Sequence, residues 1–384
     1  MNTPARIAFV GCGNIANAYA NSLKTRPELV TIHGATDLAP GRAAEFTQKH
    51  GGKVFDSFEA LLADPEVDIV LNLTIHQVHF KISRQALHAG KHVWTEKPLT
   101  GHPKEAHELV ALAKKKKLRL GSSPMTFMGE AQQTAWRLIR ENRLGQIRMV
   151  YAEMNWGRIE VWHPDPGAFF QQGAGPMFDV GVYPLTVLTA ILGPVKKVQG
   201  IAYNLLPERV SSTGKMFKIG TPDWVLGILH FTNGVTARLT TSFYTRSKEQ
   251  QATIEFHGDK AYLHLASAHN FDVGVSVYDV GGKEWESIPL VREPHKGVEW
   301  GRGLFDMVES IRDHRPQRAT GEQAAHVVEI CHSVLASAAK GSKILPIKSR
   351  FKQPAPMEWA THQLELAGRV DTVERGNGKH GGSQ

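Results

Sequence analysis

Hydrophobic residues along the first 123 positions alternate between short apolar runs and stretches with helical spacing. The apolar runs predict strands over residues 6–10, 29–36, 68–73, 91–95 and 118–122. Apolar residues spaced three and four apart predict helices over residues 14–24, 41–50, 78–89 and 103–116. Strands that alternate with helices form parallel βαβ units with right-handed crossovers. The pattern therefore predicts an α/β domain with a doubly wound parallel sheet over residues 1–123.

After residue 124 the pattern changes from alternation to a succession of strands. Helices are predicted over residues 129–141, 184–192, 300–313 and 321–339. Strands are predicted over residues 148–156, 195–204, 225–231, 235–243, 252–257 and 261–265. The pair Asn233-Gly234 between two of these strands is the strongest short-range signal for an antiparallel hairpin. We therefore predict a second, α+β domain over residues 124–374, followed by a disordered tail over 375–384.

Composition and charge narrow the class of protein. The chain has 384 residues, enough for two domains, and a formal charge of +8 at pH 7. Its basic residues are scattered, and their one run, Lys114 to Lys117, ends a predicted helix, where cations complement the helix dipole. Because no recognition motif accompanies the charge, we predict no nucleic-acid partner.

Cellular location is predicted from apolar runs and cysteines. The sequence contains no run of eighteen consecutive apolar residues, so no membrane span is predicted. The first residues lead into a predicted strand and lack the pattern of a secretory signal. Cys12 and Cys331 are the only cysteines, which suits a reducing compartment. The expectation is a cytoplasmic protein with no membrane partner.

A glycine-rich loop joins the first predicted strand to the first predicted helix. It consists of Gly11-Cys-Gly13-Asn14-Ile15-Ala16, which has the G-x-G-x-x-A form of dinucleotide-binding loops. Gly11 permits a tight turn, Gly13 lets the backbone approach a pyrophosphate, and Ala16 allows close helix–strand packing. The N-terminal end of the helix faces the negative charge of the ligand. We therefore predict a Rossmann domain that binds a nicotinamide dinucleotide.

Asp37 follows the second predicted strand, at the position that contacts the adenosine ribose in such domains. A carboxylate there accepts from the ribose 2′-hydroxyl and repels a 2′-phosphate, which favours NAD over NADP. Two alternatives stay open. Arg42 could hold a 2′-phosphate, and Asp37 could instead cap the next helix.

Two further motifs complete a pattern that resembles a known family. Residues 89–99 read A-G-K-H-V-W-T-E-K-P-L, and residues 175–184 read G-P-M-F-D-V-G-V-Y-P. With the glycine-rich loop, these motifs resemble the glucose–fructose oxidoreductase, inositol dehydrogenase and rhizopine-catabolism (Gfo/Idh/MocA) family, whose second motif is D-x-G-x-H. The resemblance extends over about residues 5–350.

The resemblance implies both a fold and an activity. It implies a Rossmann domain followed by an α+β domain with a large open, mostly antiparallel sheet, with the active site between them. It also implies reversible hydride transfer between NAD(P) and a secondary alcohol of a sugar, sugar derivative or cyclitol, so the expected partner is a small sugar-like substrate. Because a large apolar sheet face rarely stays exposed, a homodimer or homotetramer is expected.

The resemblance also implies functional roles for the residues of these motifs in this chain. Glu96 would approach the nicotinamide side of the cofactor. Lys97 would contact the cofactor and the substrate hydroxyl, whose proton must depart as hydride leaves carbon. Asp179 would bind the substrate and orient its hydroxyls, or would instead cap a helix over residues 184–192.

Tyr183 stands where most members of the family have histidine, although some members have tyrosine. As a catalytic base the phenol must be shifted towards neutrality from a pKa of about 10. Lys97 could produce that shift by favouring the phenolate. Pro184 disfavours a helical conformation at Tyr183.

Residues 74–79 read T-I-H-Q-V-H and resemble the family's T-P-N-x-x-H, with isoleucine in place of proline and histidine in place of asparagine. Thr74 and His76 are therefore expected to line the cofactor. His79 is expected either to join them or to be a structural histidine.

A segment rich in aromatic and polar residues lies between the predicted domains. Trp156, Arg158 and His163 are candidates for substrate binding, because rings stack on the CH faces of a sugar while polar groups bind its hydroxyls. Each of the three could equally be structural. No cluster has the spacing of zinc ligands, so no metal is predicted.

The sequence as a whole predicts an NAD-dependent dehydrogenase that acts on CH–OH groups. Lys97 and Tyr183 would carry the proton, and Asp179 would position the substrate. One alternative is an NAD-dependent glycosidase that uses transient oxidation and elimination. Another is a non-catalytic sensor of sugar or dinucleotide.

Overall fold

The first sheet of this computed structural model, which describes residues 3–163, 165–171, 173–247 and 253–361, is parallel. Its strands are β1 (Ala5–Val10), β2 (Val30–Thr36), β3 (Lys53–Val54), β4 (Ile69–Asn72), β5 (His92–Thr95) and β6 (Leu120–Ser122). The helices between them are α1 (Asn14–Leu23), α2 (Arg42–His50), α3 (Phe58–Ala63), α4 (His79–His88) and α5 (Pro103–Lys116). The strand order β3-β2-β1-β4-β5-β6 confirms the doubly wound sheet.

Burial explains why the central strands of this sheet are continuous apolar runs in the sequence. Every residue of β4 is buried, and five of the six residues of β1 are buried, because helices cover both faces of the sheet. The strand order reverses beside β1, so a crevice opens at the carboxyl ends of β1 and β4. The residues that follow these two strands therefore form the natural ligand site of the domain.

The second sheet is larger and mostly antiparallel. The region begins with α6 (Glu130–Arg140), β7 (Ile147–Asn155), α7 (Gly175–Asp179), α8 (Val182–Leu192), β8 (Val195–Tyr203), β9 (Glu208–Val210) and β10 (Met216–Lys218). It continues with β11 (Trp224–Phe231), β12 (Thr236–Ser242), β13 (Ile254–Gly258), β14 (Ala261–Leu265), β15 (Val275–Asp279) and β16 (Glu286–Ile288). It ends with α9 (Arg302–Arg312), α10 (Gly321–Ala338) and β17 (Leu345–Pro346).

Nine of these strands pair in the order β16-β15-β14-β13-β7-β12-β11-β8-β17. Only β7 and β12 run parallel among the described pairs, which confirms the mostly antiparallel sheet. Buried and accessible residues alternate along β11, β13 and β14, so one face packs inward and the other remains open. The open face carries the exposed rings of Tyr151 and Tyr203.

The C-terminal helices return to the first sheet. Helix α10 packs against α5 of the parallel sheet and against β8 of the second sheet. In α9, a Cβ atom on Gly303 would overlap the indole ring of Trp94, so only glycine allows this helix to approach β5 so closely. The two sheets are thus joined by packed helices as well as by the chain between β6 and α6.

Local predictions differ from the structure in a few places. Tyr183 lies in the first turn of α8, so the expectation that Pro184 keeps it out of a helix is wrong. Proline is tolerated there because the first N–H groups of a helix have no partner within the helix. The short strands β3, β9, β10 and β15–β17 and helix α3 were not predicted. The predicted tail and residue 252 lie outside the described residues.

Among the helices that the structure describes, none combines the length and apolar character needed to cross a membrane.

Candidate active site

The glycine-rich loop leaves β1 at the crevice of the first sheet. Gly11 has a φ of 93°, and a Cβ atom on it would lie 2.8 Å from the carbonyl oxygen of Leu73. Gly13 is the N-cap residue of α1, and a Cβ atom there would meet nothing within 4 Å. No side chain caps α1, so its first N–H groups remain available to an anion. The loop therefore has the open space and the donors that a pyrophosphate requires.

The remaining loop residues form the first turn of α1. Asn14 is exposed, Ile15 is partly buried, and Ala16 is fully buried. The small side chain of Ala16 lets the helix pack closely on the sheet, as predicted for the third position of the motif.

Asp37 follows β2 and binds the same loop. Its Oδ2 accepts from the Cys12 amide at 2.7 Å, and its Oδ1 accepts from the Ala39 amide at 2.7 Å. Arg42 lies 3.8 Å from Oδ1 with its side chain half-exposed. The N-cap of α2 is Gly41, so Asp37 does not cap that helix. Its carboxylate instead fixes the end of β2 beside the dinucleotide loop.

Residues 74–79 are anchored to the end of β4. The Oδ1 atom of Asn72 accepts from the Thr74 hydroxyl at 2.6 Å. His79 is buried, with Nδ1 at 2.7 Å from the Pro98 carbonyl oxygen and Nε2 at 3.0 Å from the Thr74 carbonyl oxygen. Burial lowers the pKa of His79. Because both ring nitrogens contact backbone carbonyls, His79 positions this segment against residues that follow β5.

His76 has a different environment from that of His79. It begins the short 3-10 helix His76–Val78, and its Nε2 atom is buried without a hydrogen-bond partner among the described residues. Burial lowers the pKa of its imidazole, and Lys97 acts in the same direction. A buried nitrogen of this kind suits contact with a polar group of a ligand.

Lys97 and Asp179 form an ion pair between the two sheets. The Lys97 Nζ atom donates to Asp179 Oδ1 at 2.5 Å and to the Asp179 carbonyl oxygen at 2.8 Å. Burial disfavours the charged lysine, but Asp179 and Tyr183 outweigh this effect and raise the pKa of Lys97 above its ordinary value. Lys97 is therefore a fixed cation at the junction.

Tyr183 lies close to this cation. Its ring centroid is 5.6 Å from Lys97 Nζ, and 7% of the residue is exposed. Burial raises the pKa of Tyr183 to about 12, although Lys97 acts in the opposite direction. The expected shift towards neutrality is therefore absent here, because the desolvation of a phenolate exceeds the attraction of one ammonium group.

Glu96 is buried behind Lys97. Its Oε1 accepts from the Tyr19 hydroxyl at 2.7 Å, and its Oε2 accepts from the Lys97 amide at 3.0 Å. The Tyr19 oxygen also lies 2.6 Å from Ser123 Oγ and accepts from Trp94 Nε1 at 3.3 Å. This network holds the Glu96-Lys97 segment in place on the carboxyl end of β5.

A cavity of about 360 Å³ opens on one side of the ion pair. Six predicted site residues line it: Thr74, His76, His79, Lys97, His163 and Asp179. The ring of His163 packs at 4.8 Å from that of Phe169, and its Nδ1 accepts from the Asp165 amide at 3.1 Å. The structure thus brings residues from both predicted domains to one cavity.

Trp156 and Tyr183 do not line this cavity but belong to an aromatic cluster on which Lys97 also borders. Their rings pack on His269, whose centroid is 6.3 Å from Trp156 and 4.7 Å from Tyr183. Trp300 lies 6.3 Å from His269 and 5.9 Å from Tyr19. Sequence analysis missed His269, Trp300 and Tyr19, since none of them lies in a motif.

Arg158 is half-exposed and lies at the edge of a buried ionic network. Its Nε donates to Glu160 Oε1 at 2.6 Å, and Arg209 donates to Glu160 Oε2 at 2.7 Å and to Asp223 Oδ2 at 2.5 Å. The side chain of Arg209 is fully buried. Burial opposes the ionisation of Glu160, but the arginines lower its pKa. These contacts favour the structural alternative for Arg158.

One group of possible metal ligands occurs among the described residues. His33, Asp64 and Glu66 offer ligand atoms within 4.8 Å of one another. The Lys53 ammonium lies 2.5 Å from Asp64 Oδ2, where it competes with a cation. The absence of a metal stays a prediction.

Two family models match the chain. Residues 5–123 match the oxidoreductase family with an NAD-binding Rossmann fold, GFO_IDH_MocA, and residues 132–264 match the GFO/IDH/MocA C-terminal domain.

Similar proteins include dehydrogenases. The rabbit (Oryctolagus cuniculus) trans-1,2-dihydrobenzene-1,2-diol dehydrogenase is 28% identical over 310 residues, covering 79% of this chain and 88% of the relative. The human (Homo sapiens) protein of that name is 30% identical over 241 residues, covering 62% of this chain and 68% of the relative.

Solved structures share the fold at low sequence identity. Levoglucosan dehydrogenase, in complex with NADH and levoglucosan, superposes with a TM-score of 0.79 at 18% identity, covering 90% of this chain and 100% of the other. Aldose-aldose oxidoreductase from Caulobacter crescentus, complexed with glycerol, gives a TM-score of 0.75 at 18% identity, covering 89% of this chain and 99% of the other.

Proposed function

This chain belongs to the Gfo/Idh/MocA oxidoreductase family, and from that premise we propose that it is an NAD-dependent dehydrogenase of a secondary alcohol. The substrate class is a sugar, sugar derivative, cyclitol or related vicinal diol. The observation that carries the proposal is the Lys97–Asp179 ion pair, with Tyr183 beside it, at the carboxyl end of β5. The similarity to dihydrodiol and levoglucosan dehydrogenases supports the same substrate class.

The chain's own groups supply binding, orientation and proton transfer. Gly13 and the uncapped start of α1 would hold the dinucleotide, which would supply the hydride acceptor. Lys97 donates a hydrogen bond to the reacting hydroxyl and stabilises the negative charge that develops on its oxygen. Tyr183 exchanges the hydroxyl proton, and Asp179 orients both Lys97 and the substrate.

A substrate panel tests this function. Purified protein with NAD and a series of sugars, cyclitols and vicinal diols should accumulate NADH, followed by its absorbance. Cleavage of a glycoside without net NADH would instead identify an NAD-dependent glycosidase. Binding of NAD and sugar without any product would identify a sensor.

Cofactor preference is proposed from Asp37, whose carboxylate lies beside the dinucleotide loop and would accept from the ribose 2′-hydroxyl. We expect NAD to bind at least about tenfold more tightly than NADP, a difference of about 1.4 kcal/mol. Asp37→Ser should move the preference towards NADP, because it removes the negative charge and leaves Arg42. Titration of both dinucleotides into both proteins measures this, and Asp259→Ser is a matched control, because Asp259 is exposed and pairs with Arg148 between β13 and β14. Equal affinities in the wild type would show that Arg42 determines the preference.

Assembly follows from the open face of the second sheet. That face exposes Tyr151, Tyr203 and Trp285, a set of large rings that a monomer rarely leaves in water. We expect a homodimer or homotetramer, so light scattering should give at least twice the mass of one chain. A monomer at micromolar concentration would contradict this prediction.

A further inference from the structure

The loop between β14 and β15 holds one histidine rigidly at the aromatic cluster. Ser267 Oγ accepts from the His269 amide at 3.0 Å and from the Asn270 amide at 3.3 Å. From α6, the buried Gln132 donates through Nε2 to the carbonyl oxygens of Ser267 and Asn270, each at 2.9 Å. The backbone around His269 is therefore fixed from both sides.

The His269 ring lies among the groups assigned to catalysis. It meets the Tyr183 ring edge to face at 4.7 Å. Burial lowers the pKa of His269, and the charges of Lys97 and Glu96 also act on it, in opposite directions. Burial therefore disfavours the protonated imidazole, and the ring lies against Tyr183.

A hydrogen bond fixes which ring nitrogen carries the proton. His269 Nδ1 lies 2.6 Å from Asn270 Oδ1, an oxygen that can only accept, so Nδ1 carries the hydrogen. Nε2 then presents a lone pair. Within the described part of the chain, Nε2 makes no hydrogen bond, so it is available to a ligand.

We propose that His269 determines specificity, with Nε2 accepting a hydrogen bond from the substrate hydroxyl adjacent to the carbinol that is oxidised. The proposal rests on the dehydrogenase function. Lys97 and Tyr183 serve the reacting hydroxyl, and a neighbouring hydroxyl needs an acceptor that is neither a cation nor a donor. A neutral imidazole fixed in this tautomer provides that acceptor, so the site should select vicinal diols over simple alcohols.

Paired ligands test the proposal. Dissociation constants for a vicinal cyclohexanediol and for cyclohexanol, measured by ligand-observed NMR with NADH present so that no hydride can be accepted, give a selectivity ratio. We expect the diol to bind wild type about tenfold more tightly, as one net hydrogen bond allows. His269→Phe should reduce the ratio to about one because it removes the acceptor. His269→Gln, which offers an amide oxygen, should keep part of the preference.

His264→Phe is the matched control, because His264 lies on β14 against Trp285, on the open sheet face. It should keep the wild-type ratio. A wild-type ratio in His269→Phe would overturn the proposal, and so would a wild-type protein without preference for the diol. His269→Ala gives the same test if phenylalanine prevents folding. Since binding is measured without turnover, absent NADH formation would count against the dehydrogenase function alone.

Discussion

Replacing Lys97 by methionine should lower turnover by about a hundredfold or more while NAD still binds. Methionine keeps the length of the side chain and removes the ammonium group that contacts Asp179 at 2.5 Å. The reacting oxygen then loses the cation that stabilises its developing charge. Dinucleotide binding should persist, because the pyrophosphate donors lie in the loop from Gly11 to Ala16 at the start of α1, which the substitution leaves unchanged. Steady-state NADH formation and NAD titration separate the two effects.

Lys218→Met is the matched control for this substitution. Lys218 is exposed and pairs with Glu208 at 3.1 Å on the small β9–β10 hairpin. Its replacement should leave turnover unchanged. Near-normal turnover in Lys97→Met would show that the Lys97–Asp179 ion pair has no catalytic role. Only the assignment of the dinucleotide-binding domain would then remain.

Replacing Tyr183 by phenylalanine should cost a similar factor of about a hundred in turnover. The variant loses only the phenolic oxygen, so packing against His269 is retained.

The pH dependence of the reaction gives a second test of the role of Tyr183. Because the pKa of Tyr183 is raised to about 12, the phenolate fraction increases about tenfold per pH unit below that value. The kcat/KM for alcohol oxidation in wild type should therefore still be rising at pH 10, since this ratio reports the free enzyme.

The Tyr183→Phe variant should lose that rising limb. Tyr278→Phe is a suitable control, since Tyr278 lies on strand β15 of the second sheet and its hydroxyl donates to the Gly282 carbonyl oxygen at 2.6 Å. It should keep both the rate and the pH profile. If Tyr183→Phe stays fully active, tyrosine is only packing there and the proton acceptor must be another group, with Lys97 or His163 next to be tested.

Much of the fold was predictable because its signals are local. The apolar runs of β1 and β4 follow from burial on both faces, and Asn233-Gly234 predicts the β11–β12 hairpin from two residues. The short strands β3 and β17 carry no such pattern, as two residues are too few to show a period. Tyr183 was misjudged because the rule for residues before proline yields to the packing of α8, which is buried along its whole length.

The site was predictable where its residues lie in motifs. Lys97 and Asp179 were named separately, and the structure brings them into contact. His269 and Trp300 could not be named, since their proximity to Tyr183 depends on how the β14–β15 loop and the start of α9 pack. The direction of the Tyr183 pKa shift could not be predicted from the sequence either. It depends on the burial of the ring, whereas the resemblance indicated only the charge of Lys97.

Helix α10 has a consequence for how a substrate can enter. It packs on both sheets, so a hinge rotation of one sheet away from the other would have to separate α10 from α5 or from β8. The same motion would pull α9 from Trp94, a fully buried ring. The walls of the cleft are therefore preorganised when the chain folds. Substrate recognition then involves little reordering of the protein, which favours affinity and places selectivity in the fixed shape of the cleft.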